Sequence, residues 1–277
     1  LFLKVLRQRK DGFHQIFSWM QAVDLQDELE IKRIEKGIKI SCDDPCVPAD
    51  KTNLAYRAAE LFLRRTKIKA GVKIKIMKRI PVAGGLGGGS SNAATVILGL
   101  QKSFKVKLTK TQMLSIAEKI GSDVPFFFTS GSAVASGRGE KLKNIKLPLN
   151  YWLVLINPGF EVSTKWAYSK VKPKPLKRKL LPSRSRVTLN LMLKEIKVWG
   201  NDLQGVVCKR YPEIKTVIGK LNQSGALYSA MSGSGPTVFG IFSDRNEAKK
   251  AAEKLTRRKI WKTWVVRPIK LWPQGLP

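Results

Sequence analysis

Apolar and polar residues alternate most cleanly at Val72-Lys73-Ile74-Lys75-Ile76-Met77, which predicts a strand with one buried face. Leu1-Phe2-Leu3-Lys4-Val5-Leu6 is a shorter apolar run that also reads as a strand. A polar turn over 7–12 follows it and closes on Asp11-Gly12. Residues 28–41 alternate on both sides of Lys36-Gly37, so a hairpin is expected there. Helical spacing takes over at 51–65, where Leu54, Ala58, Leu61 and Phe62 share a face and Asp50 is the expected cap. Ala93, Ala94, Val96, Ile97 and Leu100 predict another helix. Thr109 and Gln112 have the spacing of a capping box for a helix that runs to Ile120 and stops at Gly121.

Strands are expected at 132–137 and 151–156, and a second domain is expected to begin near residue 150. The Lys-, Arg- and Pro-rich stretch 171–186 reads as an exposed loop. Helices follow at about 188–198, 202–210 and 212–222, then a strand (227–231), the turn Ser232-Gly233-Ser234-Gly235, a strand (237–242), a helix (245–257) and a strand (261–267). Strands and helices alternate irregularly and nothing repeats, so the class expected is α+β.

Composition adds little to this division. An apolar fraction of 43% fits a packed core, and no apolar run is long enough to read as a membrane span. The net charge of +32 would suit a nucleic acid or another anion, but it is spread along the whole chain, so a solvated surface is the reading preferred. Three cysteines, Cys42, Cys46 and Cys208, make no disulfide framework and fit a reducing cytoplasm. The Cys42/Cys46 spacing lacks a second ligand pair, so no metal site is expected.

Five glycines fall within residues 84–89, after a predicted strand and before a predicted helix. Glycines let backbone N–H groups approach a ligand, and a helix N-terminus adds unpaired donors and partial positive charge. Pro81-Val82-Ala83-Gly84-Gly85-Leu86-Gly87-Gly88-Gly89-Ser90-Ser91-Asn92 is therefore the expected phosphate cradle, with the hydroxyls of Ser90 and Ser91 available to a phosphate oxygen or Mg2+. It lacks the terminal Gly-Lys-Ser/Thr of a P-loop and the third glycine of a dinucleotide fingerprint.

This loop resembles the phosphate motif of the GHMP kinases, and Met231-Ser232-Gly233-Ser234-Gly235-Pro236-Thr237 resembles their other glycine motif. Asp11-Gly12-Phe13-His14, Gly121-Ser122-Asp123-Val124-Pro125-Phe126-Phe127 and Asn201-Asp202-Leu203 narrow the resemblance, in order and spacing, to the 4-diphosphocytidyl-2-C-methyl-D-erythritol kinases. The resemblance implies a cytoplasmic enzyme of the non-mevalonate isoprenoid route that transfers the ATP γ-phosphate to the 2-hydroxyl of its diphosphocytidyl substrate. It implies a domain like ribosomal protein S5 domain 2 over 1–150 and a ferredoxin-like domain over 151–277, with Mg2+ accompanying ATP. Homoserine- or mevalonate-type kinases, and an inactive relative that binds nucleic acid, are the alternatives.

By the same resemblance Asp123 is the catalytic carboxylate; sequence alone would favour a turn or N-cap role. His14 reads the cytosine beside Phe13, where the family usually carries Tyr. Tyr168 is the second stacking aromatic, with Trp166 as the alternative. Asn53 lies near the adenine, Arg138 near the diphosphate, and Gly233 and Ser234 line the substrate side. The family's Pro-Ala-Lys-Ile-Asn would directly precede Leu1, so a truncated or misassigned start is expected, with that lysine and asparagine missing from the acceptor side.

Overall fold

The computed structural model describes residues 1–173, 175, 187–256 and 260–271. In chain order its elements are β1 (Phe2–Gln8), β2 (His14–Gln21), β3 (Glu28–Ile34), β4 (Ile38–Cys42), α1 (Leu54–Thr66), β5 (Gly71–Met77), α2 (Gly88–Phe104) and α3 (Lys110–Ile120). A 3-10 turn (Val124–Phe128) leads to β6 (Ser132–Gly137), β7 (Lys141–Asn144), β8 (Trp152–Asn157) and α4 (Thr164–Lys170). The rest is α5 (Leu189–Trp199), α6 (Asp202–Arg210), α7 (Glu213–Gln223), β9 (Tyr228–Met231), β10 (Val238–Phe242), α8 (Arg245–Thr256) and β11 (Lys262–Val266). The α+β expectation holds, and the loop expected over 171–186 lies almost wholly outside the described residues.

Contacts divide the chain into two compact units. The first holds Leu1–Asp24, Ala83–Leu86 and Gly131–Lys270; the second holds Leu25–Val82 and Gly87–Ser130, together with Leu271.

In the second unit the strands run β3-β5-β4, antiparallel on one side and parallel on the other. The expected hairpin over 28–41 is therefore wrong: β5 lies between the two strands. Its inward residues Val72, Ile74 and Ile76 are buried to within 1% and need cover on both sides, which a central strand provides. The amides of Gly71 and Val72 donate to the carbonyls of Glu35 and Gly37. A side chain at Gly71 would sit 2.2 Å from the Gly37 carbonyl oxygen, so glycine is what lets β5 enter beside that turn. Phe62, Ile97, Leu100 and Met113 bring α1, α2 and α3 onto the same core.

Asp50 does not cap α1. Asn53 does, its Oδ1 accepting from Ala55 N at 2.9 Å, while Asp50 closes a turn on the amide and hydroxyl of Thr52. The capping box at Thr109 and Gln112 forms as expected.

The first unit has two four-stranded sheets, β1-β2-β6-β7 and β11-β8-β10-β9. Leu3, Val5 and Ile16 join Val154, Ile156, Leu203 and Phe242 in one core, so strands from both ends of the chain share it. Phe17 and Trp19 of β2 meet Phe2 on the opposite side of the sheet, and Phe2 stacks on Trp199 of α5 at 5.9 Å. Buried on both faces, β2 loses the alternation that marks a strand in sequence.

Candidate active site

The glycine loop enters both units, and each part is held differently. In the first unit, Ala83–Leu86 lies on the turn between β9 and β10. Ser232 Oγ donates to the Gly85 carbonyl at 2.9 Å, and Thr237 N donates to the Gly84 carbonyl at 3.3 Å. A trans peptide sends its C=O and N–H in opposite directions. The N–H groups of Gly85 and Leu86 therefore point away from the turn that holds the carbonyls. Gly85 has φ +72°, and a Cβ there would lie 2.4 Å from the Ser232 carbonyl oxygen. The two glycine motifs, 147 residues apart, are thus packed backbone to backbone.

In the second unit, Gly87 is the N-cap of α2 and supplies no side-chain acceptor, so the first amides of the helix keep their donors. Gly88 is buried, Gly89 is exposed, Ser90 is buried and Ser91 half-buried. Before the helix, Pro81 and Val82 continue from Ile80.

Asp27 ties the approach to this helix. Its Oδ1 accepts from the amides of Arg79 and Ile80, each at 2.8 Å. Its Oδ2 accepts from Lys78 Nζ at 2.7 Å and Asn92 Nδ2 at 2.9 Å. The Lys78 ammonium also donates to the Ile80 carbonyl. Side-chain exposure is 1% for Asp27 and 7% for Lys78, so this is a buried ion pair whose partners are hydrogen-bonded throughout. It joins the residues before the loop to the last residue of the loop. Sequence reading missed it, because 51 residues separate the charges and no local period relates them.

Asp123 follows Gly121 at the end of α3 and stands at the N-cap position of the 3-10 turn. Its carboxylate makes no capping bond, so the structural role that sequence alone favoured is not taken up. Nor does it take a hydrogen bond from any other group among the described residues. The residue is open to solvent, yet desolvation by the protein around it pushes its carboxyl above the usual range. That pairing suits a recessed carboxylate: water or a hydroxyl can reach it, and its charged form is poorly solvated.

The first unit brings the other residues into two groups. His14, at the start of β2, faces Tyr168 of α4 with ring centroids 5.5 Å apart. Phe13 is 51% exposed, and the Arg138 guanidinium lies 4.8 Å over its ring. Trp166 instead meets Tyr211 edge-on and carries Arg210 over its face at 4.7 Å. In the second group, Ser234 Oγ hydrogen-bonds Thr164 Oγ1 at 2.8 Å and the Gly233 carbonyl accepts from Asn201 Nδ2 at 2.8 Å. Asn53, in the second unit, has its amide engaged by Ala55 N and the Pro48 carbonyl.

The glycine loop, the uncapped start of α2 and the unpaired carboxylate of Asp123 are each features of the kind that small-molecule kinases use. The family described as GHMP kinases N terminal domain matches residues 53–131, and that described as GHMP kinases C terminal matches 179–260. The fold is that of a GHMP kinase, a class of ATP-dependent kinases. A 4-diphosphocytidyl-2-C-methyl-D-erythritol kinase of Syntrophotalea carbinolica is 40% identical over 96% of this chain and 95% of its own. One from Clostridium botulinum (strain Kyoto / Type A2) is 42% identical over 90% of each. The crystal structure of a 4-(cytidine 5'-diphospho)-2C-methyl-D-erythritol kinase superposes with a TM-score of 0.79 at 33% identity, over 97% of this chain and 95% of its own. The chain belongs to the 4-diphosphocytidyl-2-C-methyl-D-erythritol kinase family. Homoserine kinase from Cytophaga hutchinsonii, at 20% identity and a TM-score of 0.70, shares the fold.

Proposed function

We propose that the chain transfers the γ-phosphoryl group of ATP to the 2-hydroxyl of 4-diphosphocytidyl-2-C-methyl-D-erythritol, in isoprenoid precursor synthesis by the non-mevalonate route. The observation that carries the donor half is the docking of the Gly84 and Gly85 carbonyls on the 232–237 turn, which leaves the next two amides aimed outward. Pro81 to Ser91 then cradle the phosphates, and Asn53 lies on the adenine side.

Asp123 orients the acceptor hydroxyl and takes its proton as the new O–P bond forms and the bond from Pγ to the bridging oxygen breaks, releasing ADP. Its raised pKa makes it a stronger base than an ordinary aspartate. His14 reads the cytosine edge, Phe13 and Tyr168 stack on its ring, Arg138 meets the diphosphate, and Gly233 and Ser234 line the acceptor side. The pairing of His14 with Tyr168 and of Arg138 with Phe13 supports this division.

Mg2+ is proposed to accompany ATP. An ion of this kind is held mainly by phosphate oxygens and water. Its chemistry there would be neutralisation of phosphate charge, and the residues placed to share it are Ser90 and Ser91.

The division into 1–150 and 151–277 is proposed for the family's two domains. The matches at 53–131 and 179–260 fall on either side of it, although compactness alone cuts the chain elsewhere. Three free cysteines support a cytoplasmic setting.

Purified protein should release ADP and form a phosphomonoester when given ATP with the diphosphocytidyl substrate, followed by 31P NMR. Phosphorylation of mevalonate or homoserine in preference to it would overturn the assignment.

A further inference from the structure

Asn201 is the N-cap of α6, its Oδ1 accepting from Leu203 N at 2.9 Å. A cap needs only that acceptor. Its Nδ2 has two further partners, the carbonyls of Met231 and Gly233, each at 2.8 Å. Gln204, three residues on, accepts from Met231 N at 2.9 Å through its side-chain oxygen. The start of α6 thus grips the β9–β10 turn at its entry and at its middle. The same turn presents Ser232 Oγ and Thr237 N to the carbonyls of Gly85 and Gly84. No step in this relay is a flexible contact: each bond ends on backbone, and the approach of Gly85 to Ser232 leaves no room for a Cβ.

We infer that Asn201 is a positioning residue for the nucleotide: through the 231–235 turn it sets the direction of the Gly85 and Leu86 amides. The inference rests on the reading of the glycine loop as a phosphate cradle. An acid in this position could cap α6 equally well, because aspartate and asparagine are similar N-caps. It could not donate to two carbonyls, and its charge would face both. The cap accounts for the acceptor; the turn accounts for the amide.

Asp202 supplies the contrast. Its carboxylate accepts from Val5 N at 2.9 Å and from Lys4, so it faces β1 and not the turn. The test compares Asn201→Asp, Asp202→Asn and Ser232→Ala with wild type, using the Kd for ATP by calorimetry well below the melting temperature, and Tm by scanning calorimetry. Asn201→Asp should raise the Kd for ATP at least tenfold. Asp202→Asn should lower Tm and leave that Kd within about twofold. Ser232→Ala should weaken ATP binding, and combined with Asn201→Asp should add less than its own effect, because both act through one turn. Asn201→Asp with a wild-type Kd, or full additivity in the double variant, overturns the inference and leaves the loop reading standing. No ATP binding by the wild type overturns both.

Discussion

The hydroxyl of Ser232 donates to the carbonyl of Gly85 at 2.9 Å, and the carbonyl of Ser232 lies where a Cβ on Gly85 would have to go. The first glycine loop is therefore held by a second glycine motif, backbone against backbone. Gly85→Ala meets backbone and not the end of a flexible side chain, and it places a side chain at φ +72°. Its expected result is loss of ATP binding by at least a hundredfold, read by calorimetry, with secondary structure unchanged by circular dichroism.

Asp123→Asn should reduce kcat by roughly 10²- to 10⁴-fold, the usual contribution of a positioned general base. The carboxyl is raised by desolvation from the protein around it, so the wild-type rate should fall with decreasing pH at a pH above the ordinary value of 3.8. That acid limb should vanish in the variant. The stability sign is opposite to that of a salt-bridged aspartate. A carboxyl whose folded pKa is raised costs nothing below its unfolded pKa and costs most above the folded one. Asp123→Asn should thus leave Tm at pH 7 unchanged or slightly higher; a clear fall in Tm would mark the residue as structural.

Asp27→Ala leaves the Lys78 ammonium buried without its partner. A loss of about 3–5 kcal/mol is expected by urea unfolding, as for other broken buried pairs. Asp27→Ala combined with Lys78→Met should recover part of it. Equal losses in the single and double variants would show that the pair does not act as a unit.

Phe13→Ala and Tyr168→Ala should each raise KM for the diphosphocytidyl substrate by roughly ten- to a hundredfold, from about 1–3 kcal/mol of base stacking per ring. KM for ATP should stay near the wild-type value. Steady-state kinetics with each substrate varied in turn decides this, and an equal rise in both KM values would remove these rings from base recognition.

Some of this architecture could be read locally. The box at Thr109 and Gln112, the stop at Gly121 and the apolar face of α2 each depend on neighbours within a turn or two of helix. Other elements were hidden for definite reasons. The central strand β2 is buried on both faces, so it shows no alternation, and the seven residues of α4 give helical spacing little room to appear. The strands β3 and β4 were recognised, but their pairing was not, because the partner of both is β5, which begins only at Gly71. Among site residues, the glycine loop and Asp123 stood out through motif and order, whereas Asp27 and Lys78 carry no signal that separates them from ordinary surface charges.

The sequence by itself determined that a glycine-rich stretch opens a helix and that a lone histidine and an unusual aspartate flank it in a family's order. Backbone conformation and helix starts are local physics, and a chain writes them locally. Only the tertiary structure decided which way the loop faces. The Gly84 and Gly85 carbonyls are taken by residues near the other end of the chain, and the planarity of the peptide then sends the amides outward. It also decided that Asp123 is free of a capping bond and raised in pKa, since desolvation depends on what surrounds a carboxylate and not on its neighbours in sequence.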